Sequence, residues 1–210
     1  ENLFFATLVN VFVKEGDNAI VGRVLGMGAL GFYHLGEVIV KVIIEGIGNS
    51  ISSAVFPVFS RIQKSKERIK EMYFEVFKFT NLIVVPAIGG LVILAKDLVI
   101  LLLGEKWLPI VPLIYVLCAS ALVKAFIYPH DSLFLARNKP EILRNVQFLN
   151  FIVYIILIYP LVVKFGILGA GYVTFLFSLV SLFYISKHLL NELEMGLIRF
   201  IQIYVLYIFC

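Results

Sequence analysis

Seven times along this chain an apolar stretch runs long enough, or nearly long enough, to cross a bilayer, and this recurrence limits the fold more than any motif does. The stretches are Leu3–Val24, Leu30–Phe59, Tyr73–Leu94, Pro109–Ala136, Val146–Val163, Ile167–Ile185 and Leu197–Cys210, the last cut short by the chain end. About 20 apolar residues of α-helix span the hydrocarbon core. Backbone groups find no water there, so a spanning segment must satisfy them internally, as a helix does. The expected fold is all-α, a polytopic transmembrane helix bundle.

Composition agrees. Hydrophobic residues make up 61% of the chain, the mean hydropathy is +0.99, and 15% of residues are charged, where a soluble domain carries roughly a quarter. The two cysteines, Cys118 and Cys210, sit in apolar segments without ligand spacing, so they read as small apolar fillers. Glu1 follows no initiator Met or basic leader, which suggests the edge of a longer protein.

The connections carry the orientation. Arg61, Lys64, Lys66, Arg68 and Lys70 fall between the second and third stretches, Arg137, Lys139 and Arg144 between the fourth and fifth, and Lys187 and Arg199 between the sixth and seventh. The alternate connections hold mainly Lys96, Lys106 and Lys164. By the positive-inside rule the first set faces the cytoplasm, in a multi-pass protein of the cytoplasmic membrane. The segment Arg61–Glu71 reads as a short amphipathic surface helix, and Asp97–Trp107 as an apolar turn-back whose Trp107 suits the interfacial belt.

Polar residues inside the spans are the functional candidates, because charge at membrane depth is costly unless it faces a partner or water. Glu37, Lys41 and Glu45 recur every four residues, which places them on one helix face where neighbours can pair. Asn49, Ser52 and Ser53 continue that polar side. Lys14, Glu15, Gly16, Asp17 and Asn18 interrupt the first span and suggest a break in its helix. In the fourth span Lys124 and Tyr128 share a face suited to a sugar or phosphate ligand; alternatively Lys124 neutralises Asp17 or Glu45. His130 reads as a hydrogen-bonded structural group. Pro86, Gly89 and Gly90 would bend the third span or admit a close neighbour. Spans five and six, nearly uncharged, read as lipid-facing or bracing helices.

No motif for covalent chemistry, nucleotide phosphates, metal or nucleic acid is visible. No cofactor, no metal and no catalytic residue is therefore expected.

Several segments together resemble a known family. Asp17-Asn18-Ala19-Ile20-Val21-Gly22-Arg23, Leu30-Gly31-Phe32-Tyr33 and Phe56-Pro57-Val58-Phe59-Ser60-Arg61 are joined by Ala95-Lys96-Asp97-Leu98-Val99, Leu103-Gly104-Glu105-Lys106-Trp107 and Leu135-Ala136-Arg137-Asn138-Lys139. Their order and spacing resemble the polysaccharide repeat-unit flippases of the multidrug, oligosaccharidyl-lipid and polysaccharide exporter superfamily. The resemblance implies two helical lobes around a cavity, with this chain holding the C-terminal six-helix lobe (residues 1–186) plus a connector and the start of a seventh span (187–210).

It also implies a non-enzymatic transporter whose partners are a lipid-linked pyrophosphate oligosaccharide, membrane lipids and an N-terminal lobe of the same protein. Cationic cavity groups are required for the pyrophosphate, and Arg23, Lys41 and Lys124 are the candidates, with Tyr128 beside them. Asp17, Glu37 and Glu45 would tune that charge or bind a coupling ion. The alternatives are a cation-coupled multidrug exporter, a polytopic glycosyltransferase or ligase, and a passive scaffold.

Overall fold

The computed structural model describes residues 18–63 and 65–192, apart from the side chains of Ile43 and Glu45. The break expected at Gly16, the candidate Asp17, and the seventh stretch lie outside the described residues. So does the Glu45 side chain.

The described chain begins as α1, helical over residues 18–25, and turns at Gly26, where a φ of +87° favours glycine. The second span then runs without interruption as α2 (Met27–Val40), a π-helical turn (Lys41–Glu45) and α3 (Gly46–Ile62). The π-turn falls on the charged stripe. A wider turn there rotates everything below it relative to a uniform helix, which ends the strict four-residue register. The polar side accordingly divides: Asn49 and Ser53 are exposed, with the Ser53 hydroxyl donating to the Asn49 carbonyl, while Ser52 turns inward.

A short connection leads to α4 (Lys66–Leu103), capped by Ser65, whose Oγ accepts from the Arg68 N–H. The segment expected as a separate surface helix is divided: Arg61 and Ile62 end α3, and residues 66–71 form the first turns of α4. Its 38 residues extend about 57 Å, well beyond the roughly 30 Å hydrocarbon core. The turn-back expected from Asp97 is also shorter than the sequence suggests: α4 continues through Leu103, and the reversal is confined to Gly104 (φ +91°) and a 3-10 helix, Glu105–Ile110. Helix α4 passes through Pro86, and a side chain at Gly89 or Gly90 would meet open space, so neither glycine marks a close helix approach.

The fourth span is broken. It comprises the 3-10 segment, α5 (Val111–Ala125) and α6 (Tyr128–Ala136). Pro129 lacks an N–H, and in a continuous helix its ring would clash with the Ala125 carbonyl. The chain responds with tighter bonds, the Phe126 N–H donating to Val123 O at 3.2 Å and the Ile127 N–H to Lys124 O at 2.7 Å. The last two helices, α7 (Pro140–Phe165) and α8 (Ile167–Glu192), form an antiparallel hairpin turning at Gly166. Gly169 lies so close to the Leu161 carbonyl that any Cβ would overlap it.

Four of these segments are long and apolar enough to cross a membrane: α4, the composite Glu105–Ala136, α7 and α8. This is a multi-pass membrane protein. Helix α7 exposes Phe148, Ile152, Ile155, Ile156, Tyr159 and Val163, the apolar surface a lipid-facing helix requires. At one end of the bundle three connections meet. Glu192 accepts from Arg137 Nε at 2.7 Å and from Lys139 Nζ, and Arg137 Nη1 donates to the Gln63 carbonyl. The basic connections therefore share one end, as their alternation along the sequence requires. Towards the other end Trp107 packs edge-on against Phe32, centroids 5.0 Å apart.

The core consists of two apolar clusters. One gathers Val40, Ile44, Val84, Leu117, Ala125, Tyr154 and Val173 among others, and the second gathers Phe59, Tyr73, Phe77, Ile127, Val146 and Ile185. Cys118 is buried in the first as a free thiol.

Candidate functional site

The level at which the two clusters part carries polar residues on α3, α4, α7 and α8. On α3 the interval between Ile44 and Phe59 contains Gly48 and Ser52, and on α4 that between Phe77 and Val84 contains Thr80 and Asn81. Between Val146 and Tyr154 α7 supplies Gln147 and Asn150, and between Val173 and Ile185 α8 supplies Ser178 and Ser181. The broken fourth span passes through the same level between Ala125 and Ile127. Thus a polar layer crosses the bundle, lying near the middle of α7 and α8.

One cleft opens in this layer, and a second lies beside the first cluster, against Val40, Leu117 and Ala121. The larger, about 320 Å³, lies between the α5–α6 corner, α7 and α8; Lys124, Tyr128, Asp131, Gln147, Asn150 and Ser181 supply its principal polar groups. Leu143, Val146, Phe177 and Ile185 form apolar walls. The smaller, about 30 Å³, is bounded by Glu37, Lys41, Ser120, Lys124 and Thr174, with room on the scale of a water molecule. Lys124 borders both.

The charges are arranged as follows. Lys41 Nζ lies 2.6 Å from Glu37 Oε1, an (i, i+4) ion pair with Glu37 largely buried. Lys124 and Tyr128, expected on one face of a continuous helix, lie on either side of the break, yet both line the larger cleft. Arg23 is exposed on α1 and lines neither cleft. Of the candidates, then, Glu37, Lys41, Lys124 and Tyr128 come together, and Arg23 stands apart.

The break itself is held in place. Ser52 Oγ donates to the Tyr128 carbonyl at 3.0 Å, and Ser132 Oγ donates to the Ser52 carbonyl at 2.9 Å, so α3 and α6 are joined in both directions. Gly48 makes room for the Tyr128 ring, with which any Cβ would collide. Beneath the corner, His130 is fully buried. Its Nδ1 lies 3.1 Å from Ile127 O, and the Tyr73 hydroxyl lies 3.2 Å from Nε2. A carbonyl only accepts, so the Nδ1–H tautomer donates to Ile127 and Nε2 accepts from Tyr73. His130 is a bonded structural group.

Sequence reasoning missed Asp131, Gln147, Asn150, Ser178 and Ser181 as cleft residues. The signal was the (i, i+3) recurrence of polar residues in two otherwise apolar spans, Gln147 with Asn150 and Ser178 with Ser181. Asn150 and Ser181 are hydrogen-bonded to each other across α7 and α8, Nδ2 to Oγ at 2.9 Å. Among the described residues no group of three His, Cys, Asp or Glu side chains is placed to hold a metal ion.

Known proteins are similar to this chain in sequence. The family described as polysaccharide biosynthesis protein matches residues 1–112. An uncharacterized membrane protein in the cps region of Klebsiella pneumoniae is 35% identical over 197 residues, 90% of this chain and 40% of that protein. The lipopolysaccharide biosynthesis protein WzxC of Escherichia coli K12 is 27% identical over 65% of the chain, and the teichuronic acid biosynthesis protein TuaB of Bacillus subtilis 168 is 29% identical over 64%; each match covers 28% of the relative. The chain thus spans well under half the length of these relatives. No solved structure matches it significantly. With a family match over more than half its residues and a relative aligned over nine-tenths of it, the chain belongs to the polysaccharide biosynthesis protein family of multi-pass membrane proteins.

Proposed function

We propose that the full protein is a flippase, which moves lipid-linked oligosaccharide or polysaccharide repeat units across the cytoplasmic membrane by alternating access and leaves them chemically unchanged. This chain supplies one of two lobes, with the end bearing Arg137 and Lys139 in the cytoplasm. The observation that carries the reading is the polar layer: an otherwise apolar bundle opens a cleft there, and the cation lining it, Lys124, also borders the smaller cleft beside Glu37 and Lys41. A carrier with an anionic pyrophosphate and a polar glycan needs such a layer, because neither part partitions into hydrocarbon. Lys124, which borders both clefts, is the group for the pyrophosphate to approach.

The test is reconstitution of the full-length protein in liposomes with polyprenyl-pyrophosphate-linked oligosaccharide extracted from the host membrane. Leaflet position is read by a glycosidase that does not cross the bilayer. Protein-dependent movement of unaltered carrier is the expected result. A new glycosidic product would establish an enzyme instead, and export of organic cations without carrier movement would establish a drug exporter.

A further inference from the structure

The larger cleft has a chemistry of its own. Its charged lining residues are one cation, Lys124, and one anion, Asp131, so their formal charges cancel. A pyrophosphate group would meet the Asp131 carboxylate there, and an organic cation would meet the Lys124 ammonium. The remaining polar groups are carboxamides, hydroxyls and a phenol, from Gln147, Asn150, Ser178, Ser181 and Tyr128. Carboxamides and hydroxyls both donate and accept, which matches the hydroxyl group, itself donor and acceptor. The apolar walls from Leu143, Val146 and Phe177 suit the C–H faces of a ring, and about 320 Å³ lies at the lower end of small-ligand pockets, about 300–1,000 Å³.

We propose that the cleft between the α5–α6 corner, α7 and α8 is a neutral glycosyl subsite that takes one sugar ring of the carried glycan, beside Lys124 rather than on it. The inference rests on the flippase reading and adds to it where, within a single lobe, the sugar is recognised. The smaller cleft, with about 30 Å³, is too small for a ring.

The experiment uses the full-length protein in liposomes and two carriers with the same polyprenyl pyrophosphate, one bare and one bearing a single N-acetylglucosamine. Movement of the bare carrier is followed by phosphatase accessibility and that of the sugar-bearing carrier by lectin capture. Wild-type protein is expected to move the sugar-bearing carrier faster. Q147A and N150A are each expected to shrink that preference by about 3- to 10-fold, the loss of one or two hydrogen bonds.

N150A also removes the bond to Ser181, whereas the Gln147 side chain makes no hydrogen bond among the described residues, so Q147A tests the subsite with the helix pair intact. A wild-type preference of one, or a preference unchanged in Q147A, overturns the proposal while leaving the flippase reading standing. If wild-type protein moves neither carrier, the flippase reading fails, and saturation-transfer NMR with methyl N-acetylglucosaminide decides the subsite alone: signal lost in Q147A supports it, and no wild-type signal overturns it.

Discussion

The Lys41 ammonium lies 2.6 Å from the Glu37 carboxylate, one turn apart where α2 passes into a π-helical turn. The Glu37 side chain is 13% exposed and that of Lys41 43%. Together they place a near-neutral pair at the edge of the small cleft, where either charge alone would carry a desolvation cost. Glu37→Gln removes that counter-charge and is expected to lower stability of the detergent-solubilised full-length protein by about 1–2 kcal/mol, discounted for the exposure of Lys41. The Glu37→Gln, Lys41→Gln double variant should recover part of the loss. Thermal unfolding of the three variants checks this, and additive losses would contradict it.

Glycines separate into two classes. A Cβ at Gly48 collides with the Tyr128 ring, whereas one at Gly89 meets nothing. Gly48→Ala is expected to cost about 1–3 kcal/mol through displacement of the α6 corner. Gly89→Ala is expected to be neutral, or to stabilise by up to about 1 kcal/mol through helix propensity. Parallel melting curves distinguish the two.

Ser52 and Ser132 join α3 to α6 through backbone carbonyls. In a membrane protein such a bond contributes about 0.6 kcal/mol, with about 1.7 as the upper end. Ser52→Ala and Ser132→Ala should each lose about that amount, and the double variant should lose less than their sum, since the two bonds support the same helix contact. A double-mutant cycle measures the coupling.

Glu192 receives both Arg137 and Lys139, with its side chain 8% exposed. Glu192→Gln removes the charge that holds the α6–α7 connection to the end of α8. A loss of about 1.5 kcal/mol, roughly tenfold in local opening, is expected. Hydrogen exchange should rise at Asn138 and Lys139 while the middle of α7 keeps its protection.

Four of the seven expected spans, α4, residues 105–136, α7 and α8, were legible because each is predominantly apolar, and the three basic connections identified their common end before Arg137 and Glu192 showed it. The ion pair followed from four-residue spacing alone. What the sequence concealed has physical causes. The π-turn changes the register of the charged stripe, so the side on which Ser52 lies does not follow from Glu37. Pro129 was visible, but its effect, a corner that still leaves Lys124 and Tyr128 on one cleft, depends on Gly48 and Ser52 nearly 80 positions earlier. The polar layer was hidden most completely, because single residues such as Asn150 and Ser181 belong to separate spans and form a layer only when the helices pack.

Cysteine accessibility tests most directly whether that layer forms a wet interior that receives the carrier. In full-length protein freed of its native cysteines, Asn150→Cys and Gln147→Cys face the larger cleft, and Ile156→Cys faces outward from the same helix. A positively charged, membrane-impermeant thiol reagent is expected to modify the first two, with polyprenyl-pyrophosphate-linked oligosaccharide protecting them, and to leave the third unmodified. Equal labelling at all three positions, or inert cleft cysteines with a reactive Ile156→Cys, would contradict the account.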